Sequence, residues 1–197
     1  MSDRLPKPTT PHLVRDLATL DQALYEAVTV TRTPTLDSAL RRLSAAADHS
    51  KISFAVAVGI AVSGGRRSRR AAALGVAAIG VASTTANLLG KRLVRRPRPH
   101  RDADSPFPGR HVPMPDSASF PSGHTASAVA FAAAVGPALP AAAVPLGLLA
   151  CAVGYSRVHT GVHYPGDVIA GALLGTGSAA LVLSLTARLE AQGVFRK

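Results

Sequence analysis

Four stretches without a charged residue, spanning residues 52–65, 71–90, 125–156 and 168–187, limit what this chain can become. Twenty helical residues extend about 30 Å, the thickness of a bilayer's hydrocarbon core, and two of the four have that length. The third, of 32 residues, carries Gly136-Pro137 and Pro140, which divide it into a hairpin of two helices. Five buried or spanning helices follow, over about 52–65, 71–92, 122–136, 140–156 and 165–187. No segment alternates apolar and polar residues long enough to build a sheet, so the fold class is all-α, a polytopic membrane helical bundle. The mean hydropathy of +0.22 is modest because the stretches are rich in alanine. Core helices of a soluble protein are the competing reading.

Before the first stretch the apolar residues Leu13, Leu17, Leu20, Leu24 and Val28 recur at helical spacing among Arg15, Asp16, Asp21 and Glu26. A second such stripe, Leu36, Leu40, Leu43 and Ala47, follows Thr33-Pro34. Both are amphipathic helices, able to lie on a membrane surface or against the bundle. The chain divides into an N-terminal segment 1–50, a helical domain 51–190 and a tail 191–197. Residues 1–12 lack the apolar run of a cleavable signal peptide. The single cysteine, Cys151, sits in an apolar run and reads as a core residue.

Lys and Arg number 22 against 11 Asp and Glu, a net charge of +11. The basic residues cluster beside the uncharged stretches, as membrane-flanking charge does. With 4% aromatics and no basic stripe, a nucleic-acid partner is not expected. Placing the N-terminus and the long 99–121 connection on one side puts fifteen basic residues there against seven opposite. The positive-inside rule then leans toward the cytoplasm.

Polar clusters mark the ends of the uncharged helices: Lys91 to Pro99, Pro121-Ser122-Gly123-His124, Ser156-Arg157, and His163 to Asp167. A helix arriving, a hairpin leaving and returning, and a last helix departing put all of them on one face. Lys91, Arg98 and Arg157 suit a phosphate dianion and the extra charge of a five-coordinate phosphorus. Arg92, Arg95 and Arg96 read as cations snorkelling to headgroups. Ser122 and Gly123, before a helix, offer a hydroxyl and a helix N-terminus to an anion, although Ser122 also suits a plain N-cap. His124 is placed to protonate a departing alkoxide. His163 is the candidate nucleophile, with Asp167 holding its far nitrogen, and Asp167 also suits a helix's first turn. A metal face on His159, His163 and Asp167 is disfavoured by Gly161 and Pro165, which interrupt a helix through them. Arg101, Arg110, Asp102 and Asp104 read as solvated loop charge.

Lys91, six residues, Arg98-Pro99; Pro121-Ser122-Gly123-His124; and Ser156-Arg157, five residues, His163, three residues, Asp167 resemble the three signature motifs of the type 2 phosphatidic acid phosphatase family. That superfamily also contains bacterial acid phosphatases and vanadium haloperoxidases. The resemblance implies an integral membrane lipid phosphatase of a bacterial plasma membrane. It would act on a phosphate monoester or diphosphate, such as phosphatidate, phosphatidylglycerophosphate, a polyprenyl diphosphate or a polyprenyl sugar phosphate. It also implies a phosphohistidine at His163 and no metal or other cofactor. A soluble acid phosphatase or a vanadate-using peroxidase with the same motifs is the alternative.

Overall fold

A computed structural model describes residues 12–101 and 107–193. Two amphipathic helices open it, α1 (His12–Val30) and α2 (Pro34–Ala46). A 3₁₀ turn at Asp48–Ser50 leads into α3 (Lys51–Ser63), and α4 (Arg66–Thr84) runs through a π-helical turn at Thr85–Gly90 into the short α5 (Lys91–Leu93). After the long connection come α6 (Gly123–Val135), α7 (Pro140–His159) and α8 (Pro165–Ala191). The five expected helices are present to within a few residues. One differs in its start: α4 takes in the arginines from Arg66 to Arg70 as its first turn, because nothing in that run breaks a helix. The described residues contain no strand.

Three helices are long and apolar enough to cross a bilayer: Arg66–Leu88, Pro140–His159 and Pro165–Ala191. The pair Pro34–Ala46 and Asp48–Ser63, bent by 67°, makes a fourth if taken as one broken span. At 13 residues α6 is shorter than a span. It is apolar all round because it lies in the middle, packed against α4, α7 and α8. On the outer faces the usual order is reversed. Val62 is 81% exposed, Leu148 67% and Leu173 71%, as suits side chains whose solvent is lipid.

Small residues set the spacing inside. Ala78 and Ala82 of α4, Ala126, Ala130 and Ala134 of α6, and Ala179 of α8 form one buried cluster. A Cβ on Gly171 would stand 2.5 Å from the Ser122 carbonyl oxygen, and one on Gly175 would stand 2.4 Å from that of Ala126. Glycine four residues apart thus lets α8 touch the backbone of α6. The consequence for chemistry is direct: the N-termini of α6 and α8, bearing His124 and Asp167, are brought side by side.

Candidate active site

Past α5 the chain is extended, and in extended chain alternate residues share a face. Prolines at 97 and 99 favour this geometry. Arg95 is exposed while Arg96 and Arg98 turn inward. The backbone N–H of Ser119 donates to the Arg96 carbonyl at 2.9 Å, tying the end of the long connection to its beginning.

Arg98 is fixed by the Ser117 carbonyl, 2.8 Å from Nε, and the Val162 carbonyl, 2.7 Å from Nη1. The same Nη1 lies 3.3 Å from Nε2 of His163. A guanidinium only donates, so Nε2 presents a lone pair. On the other side of the ring, Nδ1 stands 3.4 Å from Oδ2 of Asp167. A carboxylate there requires the N–H on Nδ1, and both neighbours therefore select one tautomer. Burial pushes the His163 imidazole down to about 4; Arg98 and Arg157 add to the shift, and Asp167 opposes it. Asp167 is wholly buried, and it is satisfied by Arg96 Nη1 at 3.0 Å, by the Tyr164 backbone N–H at 2.9 Å and by the Ser119 hydroxyl. It caps α8 and holds His163 at once.

Arg157, 1% exposed, donates from Nη1 to Ser44 Oγ at 2.7 Å and to the Ser44 carbonyl at 3.2 Å. Gly161, at φ 71°, ends α7 in the left-handed conformation that glycine adopts freely. The turn then returns to the helix it left: Val162 and His163 N–H groups donate to the Arg157 carbonyl. His124 Nε2 is 2.8 Å from Oδ1 of Asp48. Together Arg98, Gly123, His124, Arg157 and His163 line a cavity of about 430 Å³ that Asp48, His49, Ser83 and Asn87 also border.

Ser122 is buried and turned into α6, where its hydroxyl accepts from the Thr125 backbone N–H at 3.4 Å and lies 2.9 Å from the Thr125 hydroxyl. It serves as N-cap, and Gly123 borders the cavity in its place. Lys91 opens α5, and its side chain lies outside the described residues. Asp102 and Asp104 lie outside them as well. No group of three or more His, Cys, Asp and Glu among the described residues is arranged to hold a metal ion.

Three readings of the basic residues are corrected. Arg96 does not snorkel: it bridges Asp167 and, at 2.6 Å, Asp21 of α1, and its guanidinium lies 4.0 Å over the Tyr164 ring. Nor is Arg101 solvated, since it donates to the carbonyls of Gly161, Val112 and Thr160. Arg110, 2% exposed, pairs with Asp37 at 3.0 Å and takes the Thr29 carbonyl at the end of α1 and the Thr31 carbonyl just past it. Sequence reasoning also missed Ser44, Asp48 and Ser119. The alternation Arg96, Pro97, Arg98 held a usable signal for Arg96. Nothing local marked the others.

The arrangement sets an imidazole nitrogen with a lone pair at the wall of a cavity that two guanidinium groups and a second histidine also line, the combination of nucleophile and cations that chemistry on a phosphate requires. Known proteins carry similar chains. Over 102 residues the sequence is 41% identical to decaprenylphosphoryl-5-phosphoribose phosphatase of Mycobacterium tuberculosis, covering 50% of this chain and 52% of that one. The matched part thus spans about half of that relative's length. The crystal structure of Aquifex aeolicus LpxE superposes with a TM-score of 0.70 at 25% identity, covering 84% of this chain and 95% of the other. The PAP2-type phosphatidylglycerolphosphate phosphatase of Bacillus subtilis shares the fold, with a TM-score of 0.69 at 24% identity over 88% of each chain. The model of the PAP2 superfamily matches residues 71–190, more than half of this integral membrane protein, and the chain belongs to that superfamily.

Proposed function

We propose that the protein is a lipid phosphate phosphatase that works through a phosphohistidine at His163. The observation that carries this reading is the tautomer held at His163, with Nε2 unprotonated beside Arg98 and Nδ1 against Asp167. In the first step Nε2 attacks phosphorus, the P–N bond forms and the ester P–O bond breaks. His124 gives its proton to the departing alkoxide. In the second step water attacks the phosphohistidine, His124 takes the proton, and the P–N bond breaks. Arg98, Arg157 and Lys91 hold the phosphoryl oxygens, with the N-terminal turn of α6 at Gly123 presenting its N–H groups to them. Nothing in this sequence of steps calls for a metal.

The substrate class is a membrane lipid bearing a phosphate monoester or diphosphate. The likeness to a decaprenylphosphoryl-5-phosphoribose phosphatase favours a polyprenyl-linked phosphate within it. The reading places the protein in a bacterial plasma membrane, and the charge distribution favours a cytoplasmic site. Phosphate release from phosphatidate, phosphatidylglycerophosphate, polyprenyl diphosphate and polyprenyl sugar phosphate in detergent, with EDTA present, tests it. Wild-type release on one of them, an acid-labile phosphoprotein trapped by rapid quench, and neither in His163→Ala, is the expected result. Full activity of His163→Ala overturns it.

A further inference from the structure

The cavity is bordered by a single carboxylate among the described residues, and that carboxylate is out of place in a pocket for an anion. Asp48 Oδ1 lies 2.8 Å from Nε2 of His124 and 3.6 Å from Nη1 of Arg157. By simple electrostatics it opposes the phosphate that Arg98 and Arg157 attract. The chain nevertheless goes to some trouble to put it there. Asp48 occupies the 67° break between α2 and α3, and the two residues after it, His49 at φ 55° and Ser50 at φ 59°, are both left-handed. That conformation is unfavourable for residues with a Cβ, and a pair of them persists only where the surroundings hold it. One turn earlier Ser44 is bonded to Arg157, which clamps the end of α2 to the cavity wall.

A reason for the carboxylate lies in the proton that His124 must carry. Burial and the Arg157 guanidinium both favour the neutral imidazole, and Asp48 opposes them. The other groups facing His124 do not supply negative charge: Arg98 comes from the connection, His163 from the turn after α7, His49 from the 3₁₀ turn, and Ser83, Asn87 and Ser127 are uncharged. An arriving phosphate supplies some, but it has to be shared with the arginines. We propose that Asp48 is the positioning residue of the acid. Its carboxylate accepts the Nε2–H of His124, fixes the ring and adds negative charge in favour of the imidazolium, whose Nδ1 proton passes to the leaving oxygen. The site then holds two Asp–His pairs of opposite task, Asp167 with the nucleophile and Asp48 with the acid. The second comes from outside the segment that matches the PAP2 superfamily. This rests on the phosphatase reading, in which His124 is the acid.

The test uses the full chain in detergent, with Asp48→Asn, Asp48→Glu, His124→Ala and the double variant Asp48→Asn/His124→Ala. On an alkyl phosphate lipid, whose leaving group needs the proton, Asp48→Asn is expected to lose about 10- to 100-fold in turnover, within the range of general acid catalysis. On 4-nitrophenyl phosphate the loss is less than about threefold, and Asp48→Glu recovers part of the loss on the lipid. Vanadate binds Asp48→Asn as tightly as wild type or more tightly, because a negative charge has left the cavity. In the His124→Ala background Asp48→Asn costs nothing further, as expected for residues acting as one unit. A faster Asp48→Asn enzyme, in which the carboxylate merely plugs the phosphate site, overturns the proposal. So do equal losses on both substrates, or an undiminished cost in the His124→Ala background. An NMR titration of His124 separates this inference from the reading it rests on, since it needs no substrate: the protonation midpoint must fall in Asp48→Asn, and an unmoved midpoint refutes the pairing even if every lipid is hydrolysed.

Discussion

The central bundle and the N-terminal helices are joined to the same site by opposite means. Between α4, α6 and α8 the contact is alanine on alanine and glycine on backbone. Lipid gives such helices no hydrophobic reason to associate, so close van der Waals approach between small residues has to do it. α1 and α2, beyond the packing of Leu43 beside Ala128, Ala150 and Val153, are attached by charge and hydrogen bonds: Asp21 to Arg96 and to the Gly166 N–H, Asp37 to Arg110 and His159, Ser44 to Arg157. The first kind of contact tolerates no added atom. The second tolerates no lost partner, because a buried charge without its counterpart is costly.

Each half of this contrast can be broken separately. The largest effect belongs to chemistry carried between α7 and α8: His163→Ala should lower turnover by about 10⁴-fold or more while the protein still unfolds near the wild-type temperature. Next is Arg110→Ala, which leaves Asp37 and the end of α1 without their partner and should cost about 3–5 kcal/mol. Limited proteolysis should then cut near residues 31–33 while α4 to α8 stay intact; uncleaved α1 and α2 would show that charge is not what holds them. A smaller loss, about 1–3 kcal/mol by thermal unfolding in detergent, is expected of Gly175→Ala, where the new methyl meets helix backbone. Gly177→Ala, with nothing within 4 Å, should leave stability unchanged or slightly raised. Equal losses for the two would refute the small-residue account.

The subtlest measurement sharpens the site itself. An imidazole in water titrates near 6.5, and the one at His163, buried beside two guanidinium groups, sits at about 4. Histidine-labelled protein should show that midpoint by NMR. Asp167→Asn should lower it further, since the carboxylate is what favours the imidazolium. A rise in Asp167→Asn would mean that the pair is arranged differently.

What could be read from the residues alone follows the same division. Uncharged runs, their proline and glycine interruptions, and the three motif clusters are local signals, and they located five helices and put His124, His163 and Asp167 on one face. Contacts such as Asp48 with His124 or Ser44 with Arg157 join residues 76 and 113 positions apart. An acid on an amphipathic helix looks the same in sequence whether it meets water or a buried arginine. Asp21 and Asp37 were therefore indistinguishable from ordinary polar-face residues, and Arg110 from a loop charge.

One feature of α1 carries beyond the site. Its leucines Leu13, Leu17, Leu20 and Leu24 are all exposed, while Asp21 and Tyr25 on the neighbouring edge reach Gly166, Arg96 and the Tyr164 ring. A helix with that apolar edge at the headgroup level rides at a fixed height, like a float. Because its inner edge is bolted to the first turn of α8, whatever that apolar edge rests against bears directly on the turn that carries His163 and Asp167.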